Sequence, residues 1–172
     1  MKVLPVFLLV LAGFVAQPAL SSSGKLDALF EQLKQAGDQA TARQIENEIW
    51  QTWFESGDKE IDALMRAAMR ERSSYNFEAA VEVLNRVIDQ MPEYAEAWNQ
   101  RATVYFHQSK FEESLQDIAT TLELEPRHFG AMAGRAVIRL QQNKPALAMQ
   151  NVIEASKLHP YLREKSLFPG LE

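Results

Sequence analysis

Three prolines that recur at a fixed interval organise most of this chain. Pro92, Pro126 and Pro160 are each 34 residues apart. The same types of residue occur in the same order in each interval. A bulky residue is followed four positions later by a small residue, twelve positions after that by a second small residue, and four positions further on by a branched apolar residue. These residues are, interval by interval, Leu64, Ala68, Ala80 and Leu84; Trp98, Ala102, Ser114 and Ile118; and Met132, Ala136, Ala148 and Val152. A fixed period of this length is typical of a solenoid of stacked repeats.

The middle interval predicts a pair of antiparallel helices. Apolar and small side chains recur at helical spacing over residues 98–106 and again over 111–122. The polar residues 108–110 between them suit a tight helix–helix turn. Ala102 and Ser114 are the short side chains that two helices need in order to approach to about 8–10 Å. The proline at the end of each interval stops the second helix, because proline lacks the amide donor that a helix needs.

These positions resemble those of the tetratricopeptide repeat (TPR) family, which places aromatic residues, small residues and a proline across the same span. The likeness covers residues 61–160, in registers 61–94, 95–128 and 129–162 of a repeat segment at 59–160. It implies an all-α fold, a right-handed solenoid of antiparallel helix pairs. It also implies a non-enzymatic scaffold whose partner is a protein or a peptide segment.

The first residues have the layout of a secretory signal peptide. Lys2 supplies a positive start, residues 3–15 are nearly all apolar, and Ala19 and Ser21 suit a cleavage site. An apolar run of this length is shorter than the roughly 20 residues that span a bilayer, so a retained membrane anchor is the less favoured alternative. We predict a signal peptide at 1–21, cut after Ser21 or after Ala19. The expected location is bacterial, periplasmic or secreted, with no membrane association after cleavage.

Residues 24–58 are expected to form an N-terminal helical hairpin. Amphipathic segments at 26–33 and 45–54 have the length of a repeat, but they lack its small residues. We therefore predict a cap on the exposed face of the first repeat. At the other end, residues 161–172 offer only a short C-terminal cap and tail.

Trp50 and Trp53 in this hairpin allow two interpretations. Packing against Ile61 and Leu64 of the first repeat is favoured, because large aromatic side chains usually contribute to core burial. The alternative is an exposed patch that docks a partner.

Composition argues against several classes of function. The chain has no cysteine, which excludes disulfides, thiolate metal sites and a cysteine nucleophile. A net charge of −5 without a basic run disfavours binding to nucleic acid or to anionic membrane. Its three histidines lack the spacing of metal ligands, and there is no glycine-rich phosphate loop or nucleophile elbow. We expect no catalytic residue, no cofactor and no metal.

The TPR resemblance implies that the first helix of each repeat lines a concave groove in which peptides bind. The expected peptide-binding residues are Met65, Arg66, Met69, Asn99, Gln100, Thr103, Phe106 and His107. Further positions that face the groove are Asp62, Arg72, Gly130, Ala133, Gly134, Val137 and Gln141. With Arg66 as the cation and methionine and phenylalanine as an apolar floor, the expected ligand is an acidic or polar peptide segment with a bulky apolar anchor.

One TPR subtype is excluded by its motif. Co-chaperone TPR domains hold a peptide's terminal carboxylate with lysine, asparagine and arginine, and none of the five matching positions here is a cation: Met65, Met69, Gln100, Gly130 and Gly134. The alternative to peptide binding is a structural or self-assembling module, with the hairpin or the short C-terminal cap as the interface. Under this alternative the protein can form a homo-oligomer.

Overall fold

The computed structural model describes residues 22–171 and contains only helices over that range. Residues 1–21, on which the signal-peptide prediction falls, lie outside the described part, as does Glu172. The helices are α1 Ser22–Lys34, α2 Gln39–Phe54, α3 Lys59–Ser73, α4 Phe77–Gln90, α5 Ala95–His107, α6 Phe111–Leu124, α7 Phe129–Gln141 and α8 Pro145–Leu158, followed by a short 3-10 helix at Arg163–Leu167. Among residues 22–171, none of these helices is long and apolar enough to cross a membrane.

Local chemistry sets where the helices begin and turn. Asp58 starts α3 by accepting hydrogen bonds from the backbone N–H groups of Glu60 and Ile61, at 2.7 and 3.2 Å. The turn inside each repeat contains one residue at positive φ at an equivalent position. These residues are Tyr75, Ser109 and Asn143, with φ of 61°, 60° and 57°. The turn geometry therefore repeats with the same period as the sequence.

Three helix pairs stack in chain order, and the all-α repeat prediction is confirmed. Helices α3–α4, α5–α6 and α7–α8 form the pairs, and α4–α5 and α6–α7 join neighbouring pairs. The small residues at the crossings are all buried: Ala68, Ala80, Ala102, Ser114, Ala136 and Ala148. In the middle pair the Ser114 hydroxyl donates a 2.7 Å hydrogen bond to the carbonyl of Ala102, which ties the two helices at their closest approach.

The N-terminal hairpin packs on the third repeat, so the prediction that it caps the first repeat is wrong. Helix α1 contacts α8, helix α2 reaches α5, and the apolar residues of both helices share one core with α7 and α8. Ile61 and Leu64 belong to a separate core in the first repeat, which only Phe54 of the hairpin joins. The physical reason is steric. The hairpin lacks the small residues at which the repeats cross closely, and its large rings pack instead on Phe129 and His128 at the start of α7.

Both interpretations of Trp50 and Trp53 therefore need correction. Trp53 is only 6% exposed, so it is not a docking patch, and its ring stacks on His128 with the centroids 4.0 Å apart. Trp50 packs edge-on against Phe129 at 5.6 Å. The two tryptophans bury the hairpin against the start of α7.

The C-terminal segment completes the same core. Leu162 and Phe168 are buried among the hairpin and third-repeat residues, while Leu167 is 46% exposed. The third repeat is thus enclosed by chain from both ends of the described range.

Candidate functional site

A cavity of about 380 Å³ lies where the concave sides of α5 and α7 meet the hairpin. Its walls come from four parts of the chain: the end of α3, helices α5 to α7, one face of α2, and the segment after α8. The lining includes Arg72, Asn99, Gln100, Thr103, Phe106, Gly130, Ala133, Gly134, Val137 and Ile138, together with Glu46, Trp50, Leu162, Arg163 and Glu164.

Half of the peptide-binding residues expected from the sequence line this cavity. Asn99, Gln100, Thr103 and Phe106, all on α5, line it. Of the wider set of groove-facing positions, Arg72, Gly130, Ala133, Gly134 and Val137 also line it, whereas Asp62 and Gln141 do not.

The other four expected residues lie elsewhere. Met65 is fully buried in the core of the first repeat, because it shares a helical stripe with Ile61 and Ala68. Arg66 is exposed, and Met69 packs at the edge of the same core. His107 is exposed at the end of α5, where its ring stacks on Phe77 at 5.6 Å.

The ring of Trp50 packs directly against the backbone of Gly130. A Cβ at this position would overlap Cη2 of Trp50 and lie 2.8 Å from Cζ2 of the same ring. Only a glycine lets the indole lie flush against α7 here. The hairpin's share of the cavity was missed from sequence, although a glycine inside the first helix of a repeat was the available clue.

A buried polar network forms one wall of the cavity. The Glu96 side chain is 1% exposed and accepts hydrogen bonds from the amides of Asn99 and Gln100 and from Nε2 of His128, the last at 2.9 Å. Gln100 in turn accepts a hydrogen bond from Nη1 of Arg72 on the first repeat. The network therefore joins all three repeats.

The tautomer of His128 follows from its partners. Its Nδ1 accepts a 3.1 Å hydrogen bond from the backbone N–H of Ala131. The ring N–H is therefore on Nε2, which donates a hydrogen bond to Glu96. Trp53 stacks on the face of this ring. Hairpin docking and the cavity wall are thus connected through one imidazole.

The opposite wall carries carboxylates that already have partners. Glu46 lies 3.3 Å from Nε2 of His159 and accepts a 3.3 Å hydrogen bond from the indole N–H of Trp50. The hydrogen bond from His159 lowers the pKa of Glu46. Glu164 is 3.5 Å from the guanidinium of Arg163.

The family follows from comparison with known proteins. The model of the tetratricopeptide repeat family matches residues 65–119 and 102–161. A TPR repeat-containing protein of Rhizobium etli is 40% identical over 138 residues, which cover 79% of this chain and 68% of the relative. The chain belongs to the tetratricopeptide repeat family.

Solved structures share the fold at low sequence identity. The second TPR domain of Spaghetti (RPAP3), bound to the HSP90 peptide SRMEEVD, matches with a TM-score of 0.56 and 22% identity, over 59% of this chain and 94% of that one. MamA matches with a TM-score of 0.53 and 16% identity, over 78% of this chain and 86% of that one.

This TPR array uses the clamp positions differently from the co-chaperone subtype. Met65 is buried in the core of the first repeat, Gly130 packs against the ring of Trp50, and Gln100 belongs to the hydrogen-bond network of Glu96. A cation does reach the concave side of the array, but it is Arg72, further along α3. Among residues 22–171 no group of three His, Cys, Asp or Glu side chains could hold a metal ion.

A second cavity of about 410 Å³ adjoins the first. The two share one wall, formed by Glu46, Trp50, Leu162, Arg163 and Glu164. This shared wall is the hairpin and C-terminal side of the concave cavity, and Arg72 is not part of it.

Proposed function

We propose that this TPR protein is a non-enzymatic scaffold that binds a peptide segment of a partner protein in the concave cavity. The observation that carries the proposal is the α5 wall, where the amide oxygen of Asn99 and the hydroxyl oxygen of Thr103 lie beside the ring of Phe106, while the Gln100 amide is engaged by Glu96 and Arg72. Polar groups that fix orientation next to apolar surface that supplies binding energy are the usual make-up of a ligand pocket.

The size of the cavity supports a short segment. Ligand pockets typically measure about 300–1,000 Å³, so a cavity of about 380 Å³ accommodates one or two side chains with their backbone. Trp50 and the segment after α8 line one end of the cavity, on the side that adjoins the second cavity. A solved TPR domain of the same fold holds the peptide SRMEEVD, and this also favours a peptide ligand.

We further propose that the protein works in the bacterial periplasm after removal of residues 1–21. The test is mass spectrometry of the protein from its native host. We expect a mature chain that begins near Ser22. Recovery of membrane-bound protein with residues 1–20 intact would overturn the periplasmic proposal.

The binding test compares two neighbouring aromatic residues on α5. Phe106 lines the cavity, whereas Tyr105 does not and instead lies 5.8 Å from the guanidinium of Arg101. Pull-downs from periplasmic extract with wild type, Phe106→Ala and Tyr105→Ala should return a partner that only Phe106→Ala loses. We expect binding to weaken by about 1 kcal/mol or more for an anchor residue. Equal retention of the partner by both variants would place its site elsewhere.

In the alternative, self-assembly through the hairpin or the C-terminal cap, only part of the apolar surface remains available. Trp53, Leu162 and Phe168 are buried. Leu167 of the C-terminal cap and Leu147, Met149 and Ile153 of the neighbouring helix α8 remain exposed, so self-assembly keeps an apolar surface to use. Sedimentation over a range of concentrations tests it, and a monomer at every concentration argues against assembly.

A further inference from the structure

We infer that the concave cavity recognises a carboxylate on its ligand, and that Arg72 is the residue that pairs with it. The inference rests on the proposed function and specifies the ligand: an acidic group next to an apolar side chain. The carboxylate is either an Asp or Glu side chain or the end of a chain.

The first step is the state of Arg72 itself. Its guanidinium is partly buried at the end of α3, and its hydrogen bond goes to the neutral amide oxygen of Gln100. No carboxylate of residues 22–171 pairs with it. Burial lowers the pKa of Arg72, an effect that the more distant charge of Glu96 opposes. A partly desolvated cation with a neutral partner is uncompensated, so an anion that meets it with good hydrogen-bond geometry stabilises it.

Two other partly buried arginines in the fold have such an anion already, whereas Arg139, which does not line the cavity, donates to the neutral amide oxygen of Gln142. Arg101 makes two 2.8 Å hydrogen bonds to Asp117, and Arg127 pairs with Glu125 at 3.0 Å and with Asp27. Arg163, the other cation at the cavity, has a 91% exposed side chain and lies next to Glu164. Arg72 is therefore the cavity cation that a ligand can neutralise.

The second step is that Arg72 is held in place before any ligand arrives. The Gln100 amide nitrogen donates to Glu96, which turns its oxygen toward Arg72 and fixes Nη1. None of the remaining nitrogens of Arg72 is among the buried unpaired atoms of the described residues, so they reach solvent. A guanidinium presents its donors in a planar fork that matches a carboxylate, and pre-positioning reduces the entropy lost on binding.

The third step is the polarity of the cavity, which sets the orientation of the ligand. The wall shared with the second cavity carries Glu46 and Glu164 against one cation, Arg163, so its net charge is negative, and Arg72 is not part of that wall. A ligand carboxylate is repelled from the hairpin end and attracted to the α3 end. The apolar part of the ligand then lies between, against Phe106 and Val137.

The experiment uses four defined peptides and an internal reporter. Acetyl-Gly-Ser-Leu-Glu-Ser-amide and its Gln counterpart differ by one charge. Acetyl-Gly-Ser-Leu with a free C-terminus and the same peptide as an amide test a terminal carboxylate. The indole N–H of Trp50, which lines the cavity, reports binding as a shift in a two-dimensional nitrogen–proton spectrum. We expect the carboxylate member of at least one pair to bind about tenfold more tightly, the usual effect of a charged hydrogen bond.

Variants separate this inference from the proposed function. Arg72→Gln should abolish the preference for the carboxylate member, and Arg72→Lys should retain part of it. The matched control is Arg66→Gln, an exposed arginine on the same helix that does not line the cavity. Whichever pair shows the preference identifies the source of the carboxylate.

The outcomes are distinguishable. A preference that survives in Arg72→Gln overturns the carboxylate inference, and so does the absence of any shift with all four peptides at millimolar concentration. In either case the proposed function stands or falls separately, on the comparison of Phe106→Ala with Tyr105→Ala in the pull-down.

Discussion

The rings of Trp53 and His128 are stacked nearly parallel, at 8°, with their centroids 4.0 Å apart. Trp53 belongs to the N-terminal hairpin and His128 precedes the first helix of the third repeat. The same imidazole donates a hydrogen bond from Nε2 to Glu96 in the cavity wall. One pair of rings therefore joins the element that covers the third repeat to the network that shapes the candidate binding site.

Gly130→Ala should undock the hairpin. A methyl group at Gly130 would overlap the Trp50 ring, and overpacking in a close contact costs about 1–3 kcal/mol. We expect a loss of that size in the free energy of unfolding, measured by urea denaturation, together with a change in tryptophan fluorescence.

The matched control is Gly134→Ala, one helical turn further along α7. There the nearest atom to a new Cβ is Cδ1 of Ile118 at 3.7 Å, an ordinary contact. Replacing glycine by alanine in a helix then stabilises by about 0.5–1 kcal/mol. If both glycine variants change stability alike, Trp50 does not need the space at Gly130. In a Trp50→Ala background the cost of Gly130→Ala should disappear.

Ala102→Leu should destabilise the middle repeat by overpacking. Ala102 is 2% exposed, and the Ser114 hydroxyl reaches its carbonyl at 2.7 Å, so a leucine at this crossing would push α5 and α6 apart. The expected cost in chemical denaturation is about 1–3 kcal/mol. Ala119→Leu, at an exposed position of α6, is the control and should change stability by a few tenths of a kcal/mol at most. A similarly small effect at Ala102 would contradict the packing register.

The repeats were predictable from sequence because their contacts are local and periodic. Each helix pair packs on its neighbours, so the 34-residue interval contains the information for the whole array. The hairpin contacts are different: Asp27 pairs with Arg127 across 100 residues of chain. No sequence period relates Asp27 to Arg127. Amphipathic spacing predicts which face of a hairpin helix is buried, but it does not predict which other helix that face packs against.

The candidate site was predictable where the repeat is most regular. On α5 the groove positions followed from the middle repeat, and four of the five residues expected there line the cavity, with His107 the exception. On α3 the register gave Met65, Arg66 and Met69 as binding residues and Arg72 only as a further groove-facing position. The stripe containing Met65 turns into the core, and Arg72 is the one of these four that lines the cavity. Which cation faces the groove depends on how neighbouring helices pack, and one helix pattern does not contain that information.

Hairpin docking should weaken in acid through Glu46. The hydrogen bond from His159 lowers the pKa of Glu46 below its ordinary value of 4.5 in the folded state. A carboxyl group with a lowered folded pKa stabilises the fold above the unfolded pKa, and this contribution is lost as the pH falls through the folded pKa. We expect Glu46→Gln to reduce the acid loss of stability, measured by urea denaturation from neutral pH downwards. Glu48→Gln, an exposed position on α2, is the control, and an acid profile unchanged in Glu46→Gln would contradict the assignment.

Glu96→Gln should destabilise the fold through a mismatch of donors. Both carboxylate oxygens of Glu96 accept hydrogen bonds, one from Gln100 and the other from Asn99 and His128. A glutamine amide nitrogen at either site would face a donor. Turning over the Gln100 amide relieves one clash, but it then points its own nitrogen at the guanidinium of Arg72. A buried donor left without an acceptor costs about 1–3 kcal/mol, which is the expected loss in urea denaturation.

The double variant Glu96→Gln with Arg72→Gln isolates this chain of contacts. Without the guanidinium, the turned-over Gln100 amide no longer faces a cation, so Glu96→Gln should cost less in the Arg72→Gln background than in wild type. Glu93→Gln, an exposed position just before α5, controls for the loss of one negative charge. Equal costs in the two backgrounds would show that Arg72 and Glu96 act independently, and that the network does not transmit changes at His128 to the cavity.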